Sequence, residues 1–373
     1  LLTLLPRYLG GWPLASFLFI FFLIGPFVAL VNLCLGDSGG LWSHLMATVF
    51  PRYTFNTLVL MFGVTIFSLT FGVSTAWIMA RVLFPGSFIF EWALLLPATV
   101  PAYIIAYTYT DLLEFAGPVQ GILRDIFGWE SSRDYWFPEI RSMGGAILVM
   151  SSVLYPYIYI MARTAFRLTP ASYIEVARLS KSASPLKIDL SLARPAIIAG
   201  LALVLMEVLS DFGTVEFFAV ETLTLGIFNI WLGMNNITAA AQIAGMAFIF
   251  ILALLAMERW GRRRQRFFDT KNQSLPLLPV RVSRGKSILC LCVCIIPLVL
   301  GFFIPVGILL SFVFKGYAIT NFDLLFSASL NSIFVALSTA MVIIILATIL
   351  VNVSLFHDRR PPFLRSLSNI SSL

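Results

Sequence analysis

Charge is scarce in this chain, and so are the residues from which catalytic centres are made. Of 373 residues only 12% are charged, two are histidine and four are cysteine. His44 falls in a loop and His357 near the end of an apolar run, and neither has metal-ligand spacing around it. Cys34 and the trio Cys290, Cys292 and Cys294 all lie inside apolar runs, which argues against a disulfide framework or a zinc site and for buried thiols in helices. No glycine-rich phosphate loop ending in lysine occurs, so the chain carries no nucleotide-hydrolysing site of its own. With no grouping of nucleophile, base and acid, it is read as a non-enzyme without a cofactor.

Apolar surface is abundant instead. A hydrophobic share of 59% and a mean hydropathy of +0.94 exceed what a soluble domain of this length can bury. The sequence therefore predicts an all-α, polytopic membrane protein. The net charge of +7 does not point to nucleic acid, because the basic residues gather at the ends of apolar runs, where they set membrane orientation.

A bilayer core of about 30 Å takes roughly 20 apolar residues of helix. Eight stretches qualify: 13–35, 55–80, 88–112, 142–162, 196–219, 238–257, 287–313 and 331–356. Glu207, Asp211 and Glu216 interrupt the fifth. The first is too long for a cleaved signal peptide, lacks a small-residue cleavage site, and is expected to be a retained helix. With the N-terminus in the cytoplasm, the loops outside hold only Arg52, Arg124, Arg133, Arg141 and Lys315. The positive-inside bias thus predicts that orientation.

Two sets of residues recur along the chain. Phe55-Asn56-Thr57-Leu58-Val59 opens the second span and Leu330-Asn331-Ser332-Ile333-Phe334 opens the eighth, an offset of about 275 residues. Pro26 matches Pro305, and Phe84-Pro85 matches Arg360-Pro361, at nearly the same offset. The expected organisation is a complete six-helix unit over 1–257, a basic linker over 258–286, and the first two helices of a second unit over 287–373. The linker arginines Arg259, Arg262, Arg263, Arg264 and Arg266 suit anionic lipid headgroups. On this repeat roughly 160 residues of the second unit are wanting, so the chain is expected to be a fragment or the product of a broken gene.

Residues 163–195 form a long polar, basic stretch between two apolar spans, and a segment so polar is expected to lie in water. It reads Tyr173-Ile174-Glu175-Val176-Ala177-Arg178-Leu179-Ser180-Lys181, then Ser184-Pro185, and closes on Leu192-Ala193-Arg194-Pro195. The third span reads Glu91-Trp92-Ala93-Leu94-Leu95-Leu96-Pro97-Ala98-Thr99-Val100-Pro101-Ala102-Tyr103 and continues as Ala106-Tyr107-Thr108-Tyr109-Thr110-Asp111. The fifth-span region carries Ser210-Asp211-Phe212-Gly213-Thr214-Val215-Glu216, followed by Ala239-Ala240-Ala241-Gln242. Together these motifs resemble the permease subunits of bacterial iron(III) ABC importers, in which two six-helix units are fused in one chain. Permeases for thiamine, phosphonate, sulfate and polyamine share much of the pattern.

The resemblance implies that the stretch over 163–195 docks on a separate cytoplasmic ABC ATPase dimer, which holds the ATP and magnesium. Glu175, Ala177, Arg178, Lys181, Ser184 and Pro185 would form that docking loop. Ala177 permits close approach, Glu175 caps or pairs, and Ser184-Pro185 ends one short helix and starts another. The family's usual glycine six positions after the glutamate is Lys181 here, and its Leu-Pro pair appears as Leu190-Ser191. The other implied partners are a periplasmic solute-binding protein, a second permease half and membrane lipid.

Within the bilayer, Pro97 and Pro101 lie four apart and each removes a backbone hydrogen bond. The helix should bend or open there, either bordering a substrate path or as a packing kink. Tyr103, Tyr107 and Tyr109 supply hydroxyls to a path or anchors to an interface. Glu207 and Asp211 also stand four apart on one helical face. A charge near mid-bilayer costs a few kcal/mol, so they should face a bundle interior or water. An acidic lining suits a hard cation such as iron(III), whereas helix-end hydrogen bonds would give the pair a structural role. A proton- or sodium-driven secondary transporter with Glu207 and Asp211 as coupling acids is the alternative of a different class.

Overall fold

The computed structural model describes residues 11–169, 185–263, 279–315 and 322–355. Helix dominates, as it must for a chain that sits in lipid, where every backbone N–H and C=O has to be satisfied within its own segment. In chain order the helices are α1 (Gly11–Cys34), α2 (Leu41–Ala47), α3 (Phe50–Arg81), α4 (Ser87–Ala93), α5 (Ala102–Leu113), α6 (Pro118–Phe127), α7 (Met143–Leu168), α8 (Pro185–Ser210), α9 (Gly213–Phe217), α10 (Leu223–Phe228), α11 (Ile237–Arg263), α12 (Arg284–Leu298), α13 (Ile304–Phe314) and α14 (Phe322–Leu355). Two residues after α3, β1 (Val82–Leu83), pair in parallel with two before α12, β2 (Val280–Arg281), in the register Val82↔Val280 and Leu83↔Arg281. This small ladder is the one departure from an all-helical chain among the described residues.

Among the described residues six helices are long and apolar enough to cross a membrane, or seven if the bent pair Ser87–Thr99 and Ala102–Phe127 is one span. The first expected span, 13–35, falls on α1, which enters that comparison only through the shorter apolar helix Ile24–Cys34. Against the eight spans expected, six or seven are found among the described residues.

The fifth span needs correction. It was expected over 196–219, but α8 runs Pro185–Ser210, so it begins inside the stretch predicted to be an aqueous loop. Likewise α7 continues to Leu168 and carries Arg163 and Arg167 within the helix. The polar stretch of 163–195 therefore contributes its first and last turns to spans. The physical reason is charge pairing: Asp189 and Arg163, which read as water-facing, both find partners on neighbouring elements.

Contacts divide the chain into two units. One joins the terminal stretches Leu1–Leu35 and Gly316–Leu373, with α1 packed on α14. Nearly every described side chain of α14 is exposed. The other unit, Gly36–Lys315, holds the core and everything considered below.

In this larger unit α3 and α7 run side by side in the same direction, Gly63 meeting Ile147 and Gly72 meeting Ile158. A Cβ added at Gly72 would lie 2.7 Å from Cβ of Ile158, and one at Gly200 of α8 would lie 2.9 Å from Cα of Ile158. Small residues at helix crossings are what lipid favours, because apolar tails leave van der Waals packing as the main attraction between helices. Around these crossings lie Leu60, Val64, Ile105, Val149, Val153, Ile158, Val204 and Val208, all buried. A second cluster, with Met79, Phe84, Leu94, Tyr155, Tyr159, Phe166 and Cys294, fills the end of the bundle near Arg81.

Local sequence ends the helices where they end. Ser142 caps α7 by accepting from Gly145 N at 3.3 Å, and Asn236 accepts from Ala239 N at 2.9 Å at the start of α11. Gly86, at φ +85°, makes the left-handed turn that sends the chain from β1 back into α4.

Candidate functional site

The third span is broken. Between Ser87–Thr99 and Ala102–Phe127 the chain turns by 89°. Leu96–Thr99 form a single turn of tight 3-10 helix, and Pro101 (φ −57°, ψ 137°) precedes α5 in extended backbone. Both prolines lack the N–H that would carry a helix through this point. The bend expected from Pro97 and Pro101 lies where the sequence puts it.

A cavity of about 210 Å³ opens at the break. Pro101, Tyr103, Glu207 and Asp211 line it, together with Ala98, Val100, Ala102 and the α7 residues Met150, Val153, Leu154 and Tyr157. Four of the six candidate pathway residues therefore share one space. The other two lie elsewhere. Pro97 is buried in the 3-10 turn, its Cβ 2.8 Å from where a Cβ on Gly301 would be. Tyr107 packs its ring edge-on to Phe217 and Phe312, at 6.1 and 6.0 Å between centroids.

The two carboxylates differ in surroundings. Glu207, in the last turn of α8, is exposed and makes no side-chain hydrogen bond or ion pair to any described residue. Asp211, just past the end of α8, accepts from Thr214 N at 2.9 Å, Thr214 Oγ1 at 2.9 Å and Val215 N at 3.3 Å. Burial pushes its carboxyl above the usual aspartate range, and these hydrogen bonds oppose that rise. Asp211 thus holds the start of α9 in place while it lines the cavity. Glu207 is the free oxygen donor.

Sequence reasoning missed Tyr157 and Met150, whose faces become evident only once α7 is seen to pack behind the break. Tyr109, which the sequence groups with Tyr103 and Tyr107, lies outside the cavity, and its buried hydroxyl donates to Leu300 O at 2.7 Å. That carbonyl belongs to a π-helical turn, Val299–Phe303, between α12 and α13, so Tyr109 ties the broken span to the span Arg284–Phe314. Among the described residues no group of three or more His, Cys, Asp or Glu is placed to hold a metal ion.

Of the expected docking residues, Glu175, Ala177, Arg178, Lys181 and Ser184 lie outside the described residues, and Pro185 opens α8. The elements that flank them are held by ion pairs. Arg163 and Arg167 of α7 both reach Glu91 of α4, Arg167 Nη1 at 3.2 Å. In the first turns of α8, Asp189 accepts from Arg81 Nε at 2.9 Å, Arg81 Nη2 at 2.6 Å and Trp77 Nε1 at 3.2 Å. At the opposite end of the bundle Arg52 pairs with Glu221 and Arg141 with Glu114, each at 2.6 Å.

No family model matches the chain. It is 26% identical over 240 residues to the Fe(3+)-transport system permease protein FbpB 2 of Haemophilus influenzae, covering 63% of this chain and 42% of that protein. It is 27% identical over 221 residues to the sulfate transport system permease protein CysT of Escherichia coli, covering 56% and 76%. The chain thus spans less than half the length of the iron-transport relative. Among solved structures, a bacterial alginate ABC transporter, crystallised with an alginate pentasaccharide-bound periplasmic protein, matches 68% of this chain and 94% of its own with a TM-score of 0.53 at 18% identity. The relatives are ABC importer permeases, and the fold is that of such a permease.

Proposed function

We propose that this chain is the membrane permease of an ATP-driven, binding-protein-dependent importer in the bacterial inner membrane, and that its cargo is iron(III). The observation that carries the reading is the cavity at the broken third span, where Tyr103, Glu207 and Asp211 bring oxygen atoms to a gap in the helical backbone. Hard cations prefer oxygen ligands. Oxyanion cargo such as sulfate would meet two carboxylates there, and like charges in a partly dry space repel.

In this reading the segment between α7 and α8 lies in the cytoplasm, docks on a separate ATPase, and moves the two helices to which it is joined. Arg81, Arg163, Arg167, Arg281 and Arg284 share its end of the bundle, the cytoplasmic end by the positive-inside bias. A periplasmic binding protein delivers cargo at the Asp211 end. Uptake of labelled iron(III) by membranes carrying the chain and its co-purifying subunits tests the proposal. Uptake that needs ATP and persists when proton and sodium gradients are collapsed is the expected result. Uptake without ATP that vanishes with the gradients overturns the importer reading, and ATP-dependent uptake of sulfate in preference to iron overturns the cargo.

A further inference from the structure

We infer that the cleft between β1 and the start of α12 is a binding site for the headgroup of an anionic phospholipid. The cleft holds about 500 Å³ and is lined by Leu83, Phe84 and Pro85 on one side and by Arg281, Val282, Arg284 and Ser287 on the other. One wall is apolar. The other carries two guanidinium groups and a hydroxyl, and no carboxylate faces them across the cleft. Both arginines are exposed, and neither makes a side-chain hydrogen bond or ion pair to any described residue.

The backbone fixes where these groups stand. Arg281 is held by the ladder opposite Leu83. Arg284 is the first residue of α12, and Ser287 lies one turn further on the same face. Two guanidinium forks beside a hydroxyl match a phosphodiester, which accepts such forks bidentately.

Position and flanks select a lipid over a free phosphate. Arg284 opens the apolar span Arg284–Phe314, so the cleft sits at the level where a membrane helix meets the headgroups. Directly after the polar wall come Ile288 and Leu289, and three and four residues after Pro85 come Phe88 and Ile89, all four more than half exposed. These surfaces suit acyl chains hanging from a headgroup held in the cleft. The site needs neither cargo nor ATPase, so it stands independently of the importer reading.

The test is lipid retention by the purified chain, read by native mass spectrometry in mixed micelles of phosphatidylglycerol and phosphatidylcholine, with inorganic phosphate as a competing arm. Wild type should retain phosphatidylglycerol selectively, and millimolar phosphate should leave it bound. Arg281→Gln with Arg284→Gln should weaken retention roughly thirtyfold, at about a kilocalorie-scale contribution per basic residue. Lys286→Gln removes a neighbouring charge that does not line the cleft and should have a much smaller effect. Unfolding temperature in phosphatidylcholine alone should be the same for all, since neither arginine side chain bonds to any described residue. Equal retention by the double variant, equal loss in Lys286→Gln, or no preference over phosphatidylcholine overturns the site. Displacement of the lipid by phosphate overturns the lipid assignment in favour of a small anion.

Discussion

Arg81 grips Asp189 with two hydrogen bonds, Nε to Oδ2 at 2.9 Å and Nη2 to Oδ1 at 2.6 Å, and their side chains are only 6% and 1% exposed. The pair joins the last residue of α3 to the second turn of α8. Removing one partner strands the other charge in a dry site, at a cost of about 3–5 kcal/mol. Asp189→Ala should therefore lower the unfolding transition of the detergent-solubilised protein sharply, while Arg81→Met combined with Asp189→Leu should recover most of the loss. A single variant as stable as wild type would mean that the pair carries no structural load.

Glu207 has no partner to lose. Replacing it with glutamine should leave the unfolding temperature within a degree or so of wild type and reduce cargo uptake about tenfold, the effect of one lost charge-assisted contact. Uptake at the wild-type rate with Glu207→Gln would remove this carboxylate from the pathway.

For Asp211 the expectation is a pH signature. Burial holds its carboxyl above the ordinary value of 3.8, so the folded state favours the protonated form. That contribution is fully present below the ordinary value and is lost as pH rises through the raised one. Asp211→Asn keeps an oxygen acceptor for Thr214 and Val215 but does not titrate. Across that window the stability of wild type should fall relative to Asp211→Asn as pH increases. A relative gain for wild type over the same window would reverse the assignment.

At Gly301 the backbone itself is the contact: a Cβ there would run into Ser152 O and come within 2.8 Å of Pro97 Cβ. Gly301→Val should push α12 and α13 off the broken span and cost about 1–3 kcal/mol through overpacking. Gly307→Val is the control, since nothing lies within 4 Å of a Cβ at that position. Similar stability for the two variants would show that the π-helical turn is not closely packed.

Much of this architecture is legible in the sequence because lipid imposes a simple rule, in which runs of apolar residues become helices. Pro97 and Pro101 announce the bend for an equally local reason. Legibility fails where a charge is neutralised from far away. Asp189 reads as a water-facing residue because its partner, Arg81, is 108 positions distant, so the span expected from residue 196 begins eleven residues after Pro185 opens α8. The acidic pair is evident from its spacing, but not the different fates of its members, because the expected span runs on to residue 219 and hides the end of α8 at Ser210, beyond which Thr214 reaches back to Asp211. Tyr107 and Tyr103 look alike in sequence, and only the packing of Phe217 and Phe312 draws one away from the cavity. Tyr157 has no partner in its own neighbourhood to mark it.

The ladder between Val82 and Val280 has a mechanical corollary. Two pairs of strand residues bridge the point where the chain leaves α3 to the point where it enters α12. Tension applied beyond Arg284 is thus delivered straight to the tip of α3, bypassing the covalent route through α11. In a machine worked by shape change, that shortcut would make α3 and α12 rise and fall together, with the intervening crossings following at their own pace.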